Sequence, residues 1–248
     1  MTILIGILCQ DGIIMGADSS ATFTAGRMKT VEQKTSKICI IDNKIIIMGS
    51  GAVGLEQRFS YIVEDFYNKG NFQNKPYQEI GRELSRLTIQ NFSSTGVQAG
   101  QFGALCAFPS NENKFYLCEF NTNNFQPEFK TQSIWYVSMG SGQLIADPFL
   151  GFIRRIFWGD KLPSCIEGIF YVAWALHHTI ELNPGGINAP MQIAILDIPV
   201  GENTYKARLI NDNELSEHID NIRGAESHLA RYKEMLQGKE EIEIPKLS

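Results

Sequence analysis

The stretch Thr2-Ile3-Leu4-Ile5-Gly6-Ile7-Leu8-Cys9-Gln10-Asp11-Gly12-Ile13-Ile14-Met15-Gly16-Ala17-Asp18 decides how the chain is read. Two short apolar, β-branched runs flank Gln10-Asp11-Gly12. That pattern predicts a hairpin, Ile3 to Cys9 and Ile13 to Ala17, with Asp-Gly suited to the positive φ angles of a type I′ turn. Asp18 closes the return strand, and residues 19–36 read as a polar loop. A second hairpin follows, Ile38 to Ile41 and Ile45 to Met48 around Asp42-Asn43. It runs into Gly49-Ser50-Gly51-Ala52-Val53-Gly54 and then a helix with Leu55, Phe59, Ile62, Val63 and Phe66 on one face.

Only Met1 stands before Thr2 in this sequence. If Met1 is removed, Thr2 carries a hydroxyl and a free α-amine on one residue. Such an amine titrates near pH 8, so a useful fraction is a neutral base at physiological pH. A side-chain hydroxyl is a weak nucleophile that needs a base beside it, and an N-terminal threonine carries its own.

Farther along, Tyr77, Ile80, Leu84, Leu87 and Phe92 after Pro76 predict a second helix. Phe102 to Phe108 and Lys114 to Phe120 predict a hairpin around Ser110-Asn111-Glu112-Asn113. Ile134 to Val137 reads as a strand before Ser138-Met139-Gly140-Ser141-Gly142. Helices are expected over Leu144 to Phe157, with Pro148 early in it, and over Ser164 to Leu182. Gly185-Gly186 precedes a last hairpin, Met191 to Asp197 and Tyr205 to Ile210, and a charged helix from Asn213 to Gln237.

The ordered set Thr2 to Gly6, Asp11-Gly12, Ala17-Asp18, Lys37-Ile38, Gly49 to Gly54, Ser138 to Gly142 and Gly185-Gly186 resembles the proteasome β-type subunits and the related peptidase HslV, which are N-terminal-nucleophile hydrolases. Each glycine motif alone is weak; their order over residues 2–200 carries the resemblance. It implies an α+β fold, a four-layer αββα sandwich of two stacked antiparallel sheets, over residues 1–210. Residues 211–248 are then a C-terminal helical extension. It also implies a bacterial homologue outside the established groups, without a long propeptide.

The resemblance assigns roles residue by residue. Thr2 supplies the nucleophile, and Lys37 lies beside it and helps keep the α-amine neutral. Asp18 holds Lys37, the Gly51 N–H stabilises the oxyanion, and Ser141 completes the network around the amine. Lys37 is chosen over Lys34 and Lys29 because it abuts the apolar strand. Glu181 stands where the family carries an aspartate and reads equally well as a helix-end surface carboxylate. Pro184 stands where the family carries a serine and cannot replace its hydroxyl. Thr22 pairs its backbone with the substrate, and Ala21, Thr35, Cys39, Gly49 and Val53 line the first specificity pocket. None of these five is acidic, so an apolar or aromatic residue is expected at the cleaved position.

The expected activity is that of a threonine-type peptidase acting on peptides or unfolded protein inside a homo-oligomeric, stacked ring, with an ATP-dependent unfoldase as a family partner. The tail Ile242-Glu243-Ile244-Pro245 is a candidate to reach a neighbouring subunit. Two other readings stay open: an amidase using Thr2 on a small molecule, and a non-catalytic chamber subunit. Composition fits either enzyme. The 248 residues are 44% hydrophobic and carry a net charge of -5, which offers nothing to nucleic acid or an anionic membrane. No apolar run is long enough to span a bilayer, and no signal peptide is expected. The scattered Cys9, Cys39, Cys106, Cys118 and Cys165 suggest reduced core thiols in the cytoplasm. His177, His178, His218 and His228 read as structural or surface histidines, so neither metal nor cofactor is expected. Arg154-Arg155 with Ile153, Ile156, Phe157 and Trp158 reads as a subunit-contact surface.

Overall fold

The computed structural model describes residues 1–25, 28–98, 100–110, 114–183 and 185–237. Pro184, the 111–113 turn and the Ile242-to-Pro245 tail lie outside them. In chain order the elements are β1 (Leu4–Leu8), β2 (Gly12–Ala17), β3 (Ser20–Ala25), β4 (Met28–Lys34), β5 (Ile38–Ile41), β6 (Ile45–Gly51), α1 (Val53–Asn68), α2 (Asn71–Asn74) and α3 (Tyr77–Ser93). There follow β7 (Phe102–Pro109), β8 (Phe115–Phe120), β9 (Pro127–Phe129), β10 (Tyr136–Met139), α4 (Gln143–Phe157), α5 (Cys165–Leu182), β11 (Gln192–Asp197), β12 (Lys206–Leu209) and α6 (Asp212–Leu236).

Two five-stranded antiparallel sheets form, ordered β10-β1-β2-β11-β12 and β5-β6-β7-β8-β9. Strand alternation explains how they stack. In β6, Ile46 and Met48 meet Leu4, Met15, Leu105 and Leu196 in the core between the sheets. Ile45 and Ile47 face the other way, into a core built with Phe59, Val63, Ile80 and Leu84 of α1 and α3. That second core is dominated by aromatic rings. Phe59 alone sits edge-on or tilted to Phe102, Phe120 and Phe125, an arrangement favoured by the ring quadrupoles.

Helix α5 closes the opposite face, with α4 packed beside it. Its start is fixed by a capping box, Ser164 receiving the Glu167 N–H while the Glu167 carboxylate receives that of Ser164. It lies so close to β2 that a Cβ at Gly16 would stand 2.4 Å from Val172 and one at Gly168 2.6 Å from Cys9 Sγ. The four layers are therefore helices, sheet, sheet, helices, as the sequence predicts.

Three local expectations are corrected. Residues 19–36 are no plain loop: β3 and β4 pair as a two-stranded ribbon. Phe23 and Val31, paired across the ribbon, are 43% and 47% exposed, and neither strand is a continuous apolar run. Neither Asp11 nor Gly12 has a positive φ. Gly12 is required instead because a Cβ would stand 2.3 Å from the Leu196 carbonyl oxygen, while the Asp11 carboxylate accepts the Cys165 N–H at 2.7 Å. Positive φ angles occur at Asp42 and Asn43, in the β5–β6 hairpin. Third, Ile153 is fully buried, so it is no part of the Arg154-Arg155 surface.

The contacts divide the chain into Met1–Ile210 and Asn211–Ser248. The second unit contains α6, capped by Asn211 and Glu214 in another capping box. Among the described residues no helix is long and apolar enough to cross a membrane.

Candidate active site

Thr2 lies two residues ahead of β1, next to the fully buried Ile3 and Leu4, which fixes its backbone. Its N–H donates to Ser141 Oγ at 3.1 Å, and its carbonyl accepts the Gly142 N–H at 3.1 Å. Gly140, between β10 and α4, has φ 101°, and a Cβ there would stand 2.3 Å from the Thr2 carbonyl oxygen. The Gly140-Ser141-Gly142 turn is thus shaped around Thr2.

Lys37 reaches the same point from the start of β5. Its Nζ donates to Thr2 Oγ1 at 3.1 Å, to Asp18 Oδ1 at 2.7 Å and to the Met1 carbonyl at 3.3 Å. Asp18, at the end of β2, is fully buried and Lys37 nearly so. A buried ion pair survives only where its remaining lone pairs are satisfied. Asp18 meets that condition by accepting the N–H of Ile3 at 2.9 Å and of Ser20 at 3.0 Å. Burial pushes the Lys37 pKa down from its ordinary value, while the charge and hydrogen bond of Asp18 oppose the shift. The Lys37 backbone is held by Gln192 Oε1, which accepts its N–H at 3.1 Å.

A cleft of ≈ 430 Å³ opens over Thr2. Ala21, Thr22, Thr35, Gly49 and Val53 line it, as does Gly51. Gly51 has φ 148°, and a Cβ would stand 2.6 Å from the Gln101 carbonyl oxygen, so only glycine fits there. Met1 also lies in the cleft, its ammonium donating to Thr22 Oγ1 at 3.4 Å.

Two expected residues fall elsewhere. Cys39 does not line the cleft but packs against the aromatic core under α1. Glu181 stays on the last turn of α5, 63% exposed, 3.3 Å from His177. The helix runs through Leu182, which keeps this carboxylate on an outer face. Conversely, the cleft contains Ser20 and Glu56, neither of which the sequence reading named. Glu56 follows Val53 by three residues on α1, and residues so spaced share a helix face; that spacing was the available signal. Burial raises the Glu56 pKa to about 7, opposed by the Lys37 charge and a hydrogen bond from the Gly49 N–H.

A threonine at the lip of an αββα sandwich, with a buried lysine on its hydroxyl, defines the class of N-terminal-nucleophile folds. Within that class the chain belongs to the proteasome family, whose model, described as proteasome subunit, matches residues 2–151. Among solved structures it is similar to Anbu (ancestral beta-subunit) from Yersinia bercovieri, with a TM-score of 0.66 at 11% identity over 99% of each chain. At that identity the likeness bears on the fold alone. No curated protein matches the sequence.

Proposed function

We propose that the protein is a threonine-type peptidase that cleaves peptide bonds within a homo-oligomeric ring, with Thr2 as nucleophile once Met1 is removed. The observation that carries this reading is the Lys37 ammonium bridging Thr2 Oγ1 and Asp18 Oδ1. While Met1 is attached, the Thr2 nitrogen is an amide and cannot act as a base. Freed, the α-amine accepts the Oγ1 proton, directly or through one water, and Oγ1 attacks the scissile carbonyl. The oxyanion is met by the Gly51 N–H, and the leaving amine takes the proton from the α-ammonium. A water, deprotonated by the same amine, then hydrolyses the ester. Lys37 disfavours a second cation beside it and so keeps the α-amine neutral. Glu181 has no part in these steps.

The open cleft between the ends of β3 and β6 suits an extended chain paired along Thr22, which favours a peptide over a small amide. Residues 1–210 form the hydrolase body in this reading and 211–248 its helical extension. Enclosure in stacked rings would keep folded proteins from an unspecific site, with an ATP-dependent unfoldase feeding it. The five free thiols suit a reducing compartment such as the cytoplasm.

Intact mass before and after exposure to a peptide epoxyketone tests the chemistry, since the reagent closes its ring only on a residue with both a hydroxyl and a free amine. Loss of Met1 and one adduct per chain are expected. Thr2→Ala should form no adduct and lose peptide hydrolysis by about 10³-fold or more. Full hydrolysis by Thr2→Ala would sink the mechanism.

A further inference from the structure

The cleft holds one charge that the steps above leave unused. Asp18 and Lys37 neutralise each other at 2.7 Å, and Lys37 also donates to Thr2 Oγ1 at 3.1 Å. Glu56 lines the same cleft. Among the described residues it forms no ion pair. Its carboxylate is tethered only by the Gly49 N–H and feels Lys37 at longer range. Gly49 keeps it accessible, since a Cβ there would stand 3.0 Å from Glu56 Cγ and 2.8 Å from the Phe102 ring. A second cleft residue points the same way. Ser20 Oγ is on a residue only 4% exposed and has no hydrogen-bond partner among the described residues. Buried hydroxyls are nearly always partnered, so this one is available to a bound chain.

We infer that the cleft takes a cationic side chain, lysine or arginine, on the residue whose carbonyl is attacked, with Glu56 as its counter-ion. The inference rests on the peptidase reading and names its substrate class. It replaces the apolar or aromatic preference expected from the five lining residues legible in the sequence. An uncompensated carboxylate penalises an apolar occupant, which would seal it from water unpaired. Burial raises the Glu56 pKa to about 7 and so disfavours its charge, and a bound cation beside it restores that charge. Ser20 Oγ supplies a further hydrogen bond to the bound chain at the cleft wall.

The test compares fluorogenic peptides identical except for lysine, arginine, norleucine or glutamate before the cleaved bond. The lysine and arginine peptides should exceed norleucine in kcat/KM by about 10- to 100-fold, and glutamate should be poorest. In Glu56→Gln the lysine-to-norleucine ratio should fall to near one. A structural role for Glu56 would change both substrates and leave the ratio intact. Binding of the same peptides to the Thr2→Ala protein, read by fluorescence anisotropy, reports the pocket without any cleavage. Lysine preference in binding with no epoxyketone adduct on the wild type would leave the pocket standing and remove the peptidase. An adduct with norleucine equal to lysine, or a lysine preference that survives Glu56→Gln, would overturn the inference and leave the peptidase.

Discussion

At the scale of single residues, the site is a small electrostatic problem set by three side chains, the carboxylates of Asp18 and Glu56 and the ammonium of Lys37. Asp18 is fully buried and carries three hydrogen bonds, from Ile3, Ser20 and Lys37, so its charge is well compensated. Glu56 has one tether and a distant cation, and its pKa rises from 4.5 to about 7. Between those values the folded chain holds a proton that the unfolded chain has released. The Glu56 contribution to stability is therefore full below pH 4.5, falls as pH rises, and is lost above pH 7. Lys37, shifted down from 10.5 by burial, acts in the opposite sense as pH rises toward 10.5. Subtracting Glu56→Gln from wild type in urea unfolding between pH 5 and 8 isolates the term. A wild-type decline on the order of 1–3 kcal/mol that the variant lacks is expected, the range reflecting partial exposure. Parallel curves for the two proteins would contradict it. Thr2, Asp18, Lys37 and Ser141 were named from the resemblance, and the fold brings them within hydrogen-bond reach of one another. Glu56 was not, because membership of the cleft depends on which face of α1 meets β6. Glu181 takes the second of the two readings its position left open, a helix-end surface carboxylate, because α5 runs through Leu182 as the sequence predicts.

At the scale of elements, legibility followed burial. Strands β1, β2, β6, β7 and β11 are apolar runs buried over most of their length, the edge strand β5 is an apolar run buried at its two ends, and each was visible as such. The β3–β4 ribbon, whose strands pair with each other and with neither large sheet, has no such run. The glycines of β2 show how little slack the helix–sheet contact has. A Cβ at Gly16 would lie 2.4 Å from Val172 and 2.9 Å from Leu176, distances that force α5 outward. Gly16→Val should lower stability by about 1–3 kcal/mol or more through overpacking, read as a lower urea midpoint. Gly224→Ala on α6, where a Cβ meets nothing within 4 Å, is the control. It should raise stability by up to about 1 kcal/mol on helix propensity alone. A neutral Gly16→Val would mean that α5 packs less closely on β2 than these distances imply.

At the scale of the molecule, the sandwich separates two tasks. Its two cores hold the strands rigid, while the ends of β2, β5 and β6 deliver Asp18, Lys37 and Gly51 to one end of the sheets. A peptidase with so open a cleft needs restraint from outside the fold, and assembly into a ring is the restraint we propose. A ring requires a heterologous contact, two different patches that join head to tail and close. Helix α4 offers one such patch. Phe152, Ile156 and Phe157 are 43%, 57% and 49% exposed, Phe149 stacks on Phe152, and the Arg155 guanidinium lies 5.8 Å from the Phe152 ring centroid. Aromatic and arginine side chains grouped in this way are characteristic of protein interfaces. Of the residues the sequence reading grouped here, Arg155, Ile156 and Phe157 are exposed, whereas the helix turns Ile153 into the core. Sedimentation of the wild type should show a species many times the 27.8 kDa of the chain. Ile156→Glu combined with Phe157→Glu should shift it toward the protomer with an unchanged circular dichroism spectrum, because both side chains are about half exposed. A wild type that sediments as a protomer across micromolar concentrations would remove the ring. A double variant that stays fully assembled would move the contact to another face.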